Sequence, residues 1–242
     1  MRNAALLATV AALAMALPLR AADAPAPAPA AAPDADTALL LHFDDGQGRM
    51  AKDSSANNLR VTVTRAEWVD GRFGKALRFD GKDAFVDAGN PPALLFGKDT
   101  DFTVECWINV AADAPKEFMF VITSRLRGDE PGFSIYLHRN MFLQAVVADK
   151  VNATDLLTSK AALNDGKWHH VALVAERKGK LSLFIDGALQ AAADMTRIVS
   201  PDNPNRPLRI GDRGHDGDFA GMIDEVRISR VARKEFSLDK PY

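Results

Sequence analysis

The sequence predicts an all-β protein, a two-sheet antiparallel β-sandwich of jelly-roll type, and three observations carry that expectation. The first is the stretch 164–189, NDGKWHHVALVAERKGKLSLFIDGAL, which holds two strand-length apolar runs, Trp168–Val174 and Leu181–Ile185. The second run alternates apolar and polar, and the charged tip Glu176–Lys180 separates the two. Asp186-Gly187 then makes a tight turn, since glycine accepts the positive φ of a type I′ hairpin. A period of two would scatter apolar residues around a helix, so the stretch reads as an antiparallel meander. Secondly, similar short runs recur along the chain with Gly, Asp and Pro between them, and long helical periodicity is nowhere evident. Thirdly, about 200 residues remain beyond the N-terminal stretch, enough for one large sandwich with a sizeable core.

Arg2 and the apolar run Ala4–Leu19, followed by Ala22-Asp23-Ala24, have the layout of a secretory signal peptide over residues 1–24. The run is too short to cross a bilayer comfortably, and no cysteine stands near the cleavage pattern to take a lipid anchor. Residues 25–36 form an Ala/Pro-rich linker, expected to be extended and solvated and to carry no chemistry. The folded domain is expected over residues 37–242.

Within it, Thr37–Phe43, Arg60–Thr64 and Ala76–Phe79 read as strands, with turns at Asp70-Gly71 and Asp80-Gly81. Phe102–Val110 alternates most clearly. Phe102, Val104, Cys106, Ile108 and Val110 share one face; Thr103, Glu105 and Trp107 lie on the other with Asp101. Phe118–Ser124, Gly132–His138 and Met141–Ala148 continue the pattern, with Arg139-Asn140 as a hairpin turn. Only Val231–Leu238 suggests a helical turn or two.

Composition narrows the function classes. Thirty basic against 32 acidic residues give a net charge of −2, so nothing favours nucleic acid or an anionic membrane as partner. One cysteine, Cys106, excludes an intrachain disulfide, and its place in the strand reads as a small core hydrophobe.

The ordered set FDDGQG (43–48), KDSSANN (52–58), FGKALRFDGKDAFVD (73–87), FTVECWINV (102–110), WHHVALV, LFIDGAL, LRIGDR (208–213) and MIDEVRISR (222–230) resembles the LamG-like jelly-roll family. That family belongs to the concanavalin A-like lectin/glucanase superfamily, and the resemblance runs from Leu39 to Leu238.

The resemblance frames the chemistry. Glucanases of the superfamily place two glutamates and an aspartate in close alternation on one strand, and this chain has no such motif. The nearest substitute is Asp101 with Glu105 beside Trp107, which reads as a solvated sheet face with the Trp covered by a loop. Replacing Glu105 with Gln is accordingly expected to leave folding intact. His169 and His170 are strand neighbours on opposite faces and cannot chelate one ion; one is expected inside and hydrogen-bonded, the other outside.

The resemblance implies a structural calcium ion with Asp44 and Asp224 as side-chain ligands and a backbone oxygen near Gly81; the alternative is that these aspartates cap turns. The loop Asp212–Asp218 reads as plain surface. Candidate ligand contacts are Trp107, Tyr136, Arg213 and His215, with Trp68 a further aromatic.

Taken together, the sequence reads as an exported, non-catalytic binding module recognising glycan or protein at the cell surface or in the periplasm. A divergent glycoside hydrolase on the same fold and an assembly domain recognising protein are the alternatives.

Overall fold

The computed structural model describes residues 33–126, 128–214 and 217–242. The signal-peptide segment 1–24 and most of the linker lie outside the described residues. Among those described, no helix is long and apolar enough to cross a membrane.

Two antiparallel eight-stranded sheets pack face to face. The first contains β14 (Ala188–Asp194), β13 (Lys180–Ile185), β12 (Trp168–Ala175), β7 (Phe102–Asn109), β16 (Ala220–Ser229), β5 (Lys75–Asp80) and β4 (Glu67–Asp70), in that spatial order, with β1 (Thr37–Leu41) also paired to β16. The second runs β11 (Leu157–Ala162), β10 (Phe142–Ala148), β9 (Gly132–Leu137), β8 (Met119–Thr123), β15 (Arg209–Ile210), β6 (Phe85–Asp87), β3 (Arg60–Thr64) and β2 (Met50–Lys52). Alternation fixes which face each strand buries. Val104, Cys106 and Ile108 of β7, Leu173 of β12, Ile135 and Leu137 of β9 and Leu143 and Ala145 of β10 meet in one fully buried core. Burial pushes the Cys106 thiol up, so it stays protonated and inert.

The predicted meander is present as β12–β13–β14, and Asp186 and Gly187 both take positive φ at its second turn, 48° and 75°. The predicted helical turn over Val231–Leu238 is absent. That segment instead runs without regular structure across the outer face of the first sheet, where Phe236 packs on His170 and Phe184. Its apolar residues Val231, Ala232, Phe236 and Leu238 do not recur at helical spacing, so the sheet, not local propensity, decides its path.

Strand β16 organises the first sheet. One edge pairs with β7 over Met222–Ser229; the other pairs with β5 over Ala220–Ile223 and with β1 over Val226–Ser229. Its register against β7 shifts between Asp224 and Arg227, and Glu225 sits at φ 48°. This is a β-bulge at the hand-over from β5 to β1.

Candidate functional site

The outer face of the second sheet carries a cleft. Phe133, Ile135 and Leu137 of β9 point into the core, which leaves Ser134 and Tyr136 outward; on β10, Val146 faces the same way. On β8, Met119 and Val121 face the core and Phe120 faces outward, while a register irregularity between Phe120 and Ile122 brings Ile122 inward as well. Phe120 and Tyr136 stack with ring centroids 5.0 Å apart and planes inclined by 24°, and Phe118 lies 6.1 Å from Tyr136. Guanidinium groups cap this aromatic floor: Arg213 lies 4.6 Å above Phe120, and Arg139 lies 5.1 Å from Phe118. Arg125, only 8% exposed, forms one wall. The hollow encloses about 430 Å³. A second hollow of about 210 Å³ adjoins it, sharing Arg125, Leu126 and Arg213 and adding Arg206 and Arg209.

Electrostatics follow from this packing. Burial raises the Tyr136 phenol above its ordinary value, and the positive charges of Arg125 and Arg213 oppose that shift. Burial lowers Arg125, with Glu130 pulling the other way. Arg206 is held by Glu130, its Nη2 donating to Oε1 at 2.8 Å, and Arg209 lies 3.3 Å from Asp87 and 3.7 Å from Asp212. These carboxylates hold the Arg206 and Arg209 guanidinium groups, and among the described residues neither hollow is lined by an acidic side chain.

A separate arrangement surrounds Asp44 and Asp224. The turn between β4 and β5 folds against both carboxylates: Lys75 N–H donates to Asp44 Oδ1 at 2.7 Å and Phe73 N–H to Asp224 Oδ2 at 3.0 Å. Gly71 and Gly74 allow this close approach. A β-carbon on Gly71 would stand 2.6 Å from Asp224 Oδ2, and one on Gly74 would overlap the Asp44 carboxylate. Burial pushes the Asp224 carboxyl up to about 8, against the N–H groups that favour its ionised form. The two carboxylates meet at one turn and accept backbone N–H groups there, with Asp224 Oδ1 also accepting the Glu225 N–H at 2.8 Å. Among the described residues no third His, Cys, Asp or Glu joins them. Gly81 is elsewhere: its N–H bonds Phe219 O and its Cα faces Ala220, several residues along β5 from Asp224. The register explains the mismatch: Ala220 pairs with Asp80 and Ile223 with Leu77, so Asp224 lies by the turn 71–75 and Gly81 at the other end of β5.

The family model described as the concanavalin A-like lectin/glucanases superfamily matches residues 80–236. The chain belongs to this superfamily. It is 21% identical over 203 residues to a botulinum-like toxin, eBoNT/J, from Enterococcus sp. (strain 3G1_DIV0629), an alignment covering 79% of this chain and 16% of the toxin. Among solved structures it resembles the binding domain of Paraclostridial Mosquitocidal Protein 1, with TM-score 0.68, 18% identity, 82% of this chain and 49% of that one. It also resembles the botulinum neurotoxin serotype G binding domain, with TM-score 0.66, 12% identity, 81% of this chain and 48% of that one. The chain thus spans a small part of the toxin and about half of each solved domain. At these identities the likeness is one of fold.

Within this superfamily fold the candidate ligand residues separate. Tyr136 and Arg213 come together in the cleft; His215 lies outside the described residues. Trp107 belongs to the other sheet and is buried, 4% exposed, beneath Phe73, Arg72 and His170, with its indole N–H left without a hydrogen-bond partner. Trp68 on β4 packs on Phe43 and donates to Gly48 O at 3.1 Å. The cleft residues that sequence reasoning passed over are Phe118, Phe120, Arg125 and Arg139. The run Met119–Ile122 is apolar on both faces, so alternation could not mark Phe120 as outward.

The expected solvated face around Glu105 is corrected. Glu105 is fully buried: Arg227 Nε donates to its Oε1 at 2.8 Å, and His170 Nε2 lies 3.2 Å from its Oε2 and 2.7 Å from Tyr242 Oη. Residues 231–242 cover the face, and Tyr242 N–H donates to Glu225 Oε2 at 3.1 Å. Asp101 does not join Glu105; it accepts the Arg177 N–H at 2.7 Å. His170 is fully buried on the outer face of the sheet beneath residues 231–242, and His169, on the opposite face, lies between Asp186 and Asp165.

Proposed function

We propose that the protein is an exported glycan-binding module without catalytic function, and that the cleft over β8, β9 and β10 is its ligand site. The single observation that carries this reading is the stacked Phe120–Tyr136 pair with Arg213 above it. Phe120, 5% exposed beneath Arg213 and Gly217, holds the half-buried Tyr136 ring in place. An aromatic ring with polar groups at its edge is how a sugar is gripped by its C–H face and oriented through its hydroxyls. The relatives named as binding domains support the binding class, and the signal-peptide pattern at residues 1–24 supports export. The calcium implied by the family resemblance is part of the same proposal: Asp44 and Asp224 would hold it, tying the chain after β1 to the middle of β16.

A glycan array probed with the exported protein and with Tyr136→Ala tests the reading. Glycan signals that fall at least about tenfold in the variant, a loss of about 1.4 kcal/mol, support it. Signals that survive both Tyr136→Ala and Arg213→Ala place the ligand elsewhere. Capture of one protein partner with no glycan signal would favour the assembly domain.

A further inference from the structure

We infer that the outer face of the first sheet is a second binding site, one for an extended peptide segment carrying a tyrosine, and that residues 231–242 occupy it as a removable strap. It lies on the sheet opposite the cleft and does not depend on the glycan-binding reading.

The face is built to recognise what covers it. A sheet meant only to be sealed would present apolar side chains, since taking a charge out of water is costly unless it is paired. Here β7, β12 and β16 bring Glu105, His170 and Arg227 together beneath the segment, with Glu105 and His170 fully buried. Polar groups of this face converge on Tyr242. His170 Nε2 lies 2.7 Å from its Oη, the Arg227 guanidinium 3.9 Å from its ring centre, and Glu225 Oε2 accepts its N–H at 3.1 Å. Phe236 adds a second anchor, its ring centroid 5.2 Å from those of His170 and Phe184. An aromatic ring with its hydroxyl engaged and a guanidinium over its face is how interfaces between chains hold their anchors.

The cover is not woven into the sheet. Strand β16 ends at Ser229, and Arg230 N–H donates to Asp36 O at 2.8 Å. Beyond it, among the described residues, no backbone–backbone hydrogen bond joins 231–242 to a strand. Within the segment only Tyr242 is buried. Lifting it therefore breaks no ladder, and β7, β12 and β16 keep a neighbour on each edge. The root stays fixed, because Arg233 Nη2 donates to Asp34 Oδ2 and its Nε to Ser229 Oγ, both at 2.8 Å. The part free to lift is 234–242, which carries both anchors. Closure is also incomplete: the Trp107 indole N–H and His170 Nδ1 are buried at the seat with no hydrogen-bond partner among the described residues. Two unsatisfied buried polar atoms weaken the closed state against one in which they reach water.

The test compares the whole chain with Phe236→Ala/Tyr242→Ala, adding a synthetic peptide of residues 231–242 in trans and reading binding by calorimetry. In the parent the seat is filled, so the peptide should bind the double variant at least about tenfold more tightly than the parent. A peptide with alanine in place of Tyr242 should lose that binding. The variant should still melt cooperatively, because its sheets are intact. A folded variant that binds the peptide no better than the parent does would overturn the site. A variant without a cooperative melt would overturn the removable strap. Hydrogen exchange on the parent decides without any substitution. The Tyr242 amide should exchange at least about a hundredfold faster than amides of β7 and β12, at a rate that low denaturant leaves unchanged. Exchange of Tyr242 at the rate of the β7 amides would mean that the segment opens only with the whole domain, and the inference would fall.

Discussion

Gly217 lies so close over Phe120 that a β-carbon on it would stand 2.5 Å from the ring's Cδ2, and its carbonyl accepts the Phe120 N–H at 2.7 Å. The chain that presents Arg213 is therefore seated on the cleft floor at a point where only glycine fits. Gly217 also has φ 75°. Gly217→Ala should cost about 1 kcal/mol or more in stability, read as a melting shift of roughly 2–4 °C. Its effect on ligand affinity should exceed that of an equally destabilising change in the core. Unchanged melting and unchanged binding would mean that the loop is not anchored on Phe120.

Asp212 offers a pH signature. Burial raises its carboxyl to about 6, with Asp218 and Asp87 adding to the rise and Arg209 opposing it. A carboxyl raised by folding is neutral in both states at low pH and costs stability once the folded form must ionise. The cost therefore grows as pH climbs from about 4 to about 6. Asp212→Asn should match the parent near pH 4 and exceed it by about 1 kcal/mol near pH 7.5, after allowance for screening. Denaturant titrations at the two pH values decide; a variant weaker than the parent near pH 7.5 would show that the Arg209 pair outweighs burial.

The buried Glu105 network makes a demand that the sequence did not suggest. Burial alone would raise this carboxyl, but His170 and Arg227 together hold it below the ordinary carboxylate range, so it stays charged. Glu105→Gln leaves Arg227 without its buried counter-charge and should destabilise by about 3 kcal/mol. Because the folded value is lowered, the contribution is present above the ordinary glutamate value of about 4.3 and is lost as pH falls below it toward the folded one, so the deficit should shrink in acid. Combining Glu105→Gln with Arg227→Met should recover part of the loss. A variant as stable as its parent at neutral pH would contradict the network.

Calcium can be tested without reference to ligand. If the ion binds the folded state alone, a hundredfold excess over its dissociation constant adds about 2.7 kcal/mol, which raises the melting temperature by roughly 5–10 °C. The rise should be reversed by a chelator and absent in Asp224→Asn. A midpoint indifferent to calcium in the parent would leave Asp44 and Asp224 as clamps on the turn 71–75 and nothing more.

These residues also show what can be read from a linear chain. Strand β3 falls at Arg60–Thr64, as its alternation predicts, and β7, β9, β10, β12 and β13 fall within a residue or two of expectation. Tyr136 was recoverable because it is an aromatic at an outward position of an alternating strand, and Arg213 because it stands in a polar loop. Two features defeated that logic. The bulge in β16 breaks the period of two just where the acidic pair lies, so Glu225 turns toward His42, whose Nδ1 is 2.9 Å from its Oε1, while Asp224 meets the turn 71–75. The burial of Glu105 and Trp107 depends on residues 231–242, a segment without periodicity whose position only the assembled sheet determines. The linker reading needs a similar adjustment at its end: Asp34 accepts hydrogen bonds from Arg233 Nη2 at 2.8 Å and from Thr37 Oγ1 at 2.7 Å.

That last contact sets the domain's orientation. Arg233 lies on the outer face of the first sheet, 3.7 Å from Glu105, whereas the aromatic cleft opens on the outer face of the second. The described chain therefore enters the sandwich from its back. A support coupled through the N-terminal side would hold the domain with Tyr136 and Arg213 facing outward, the attitude of a sensor head on its stalk. An immobilised surface for the binding measurements should be built that way round.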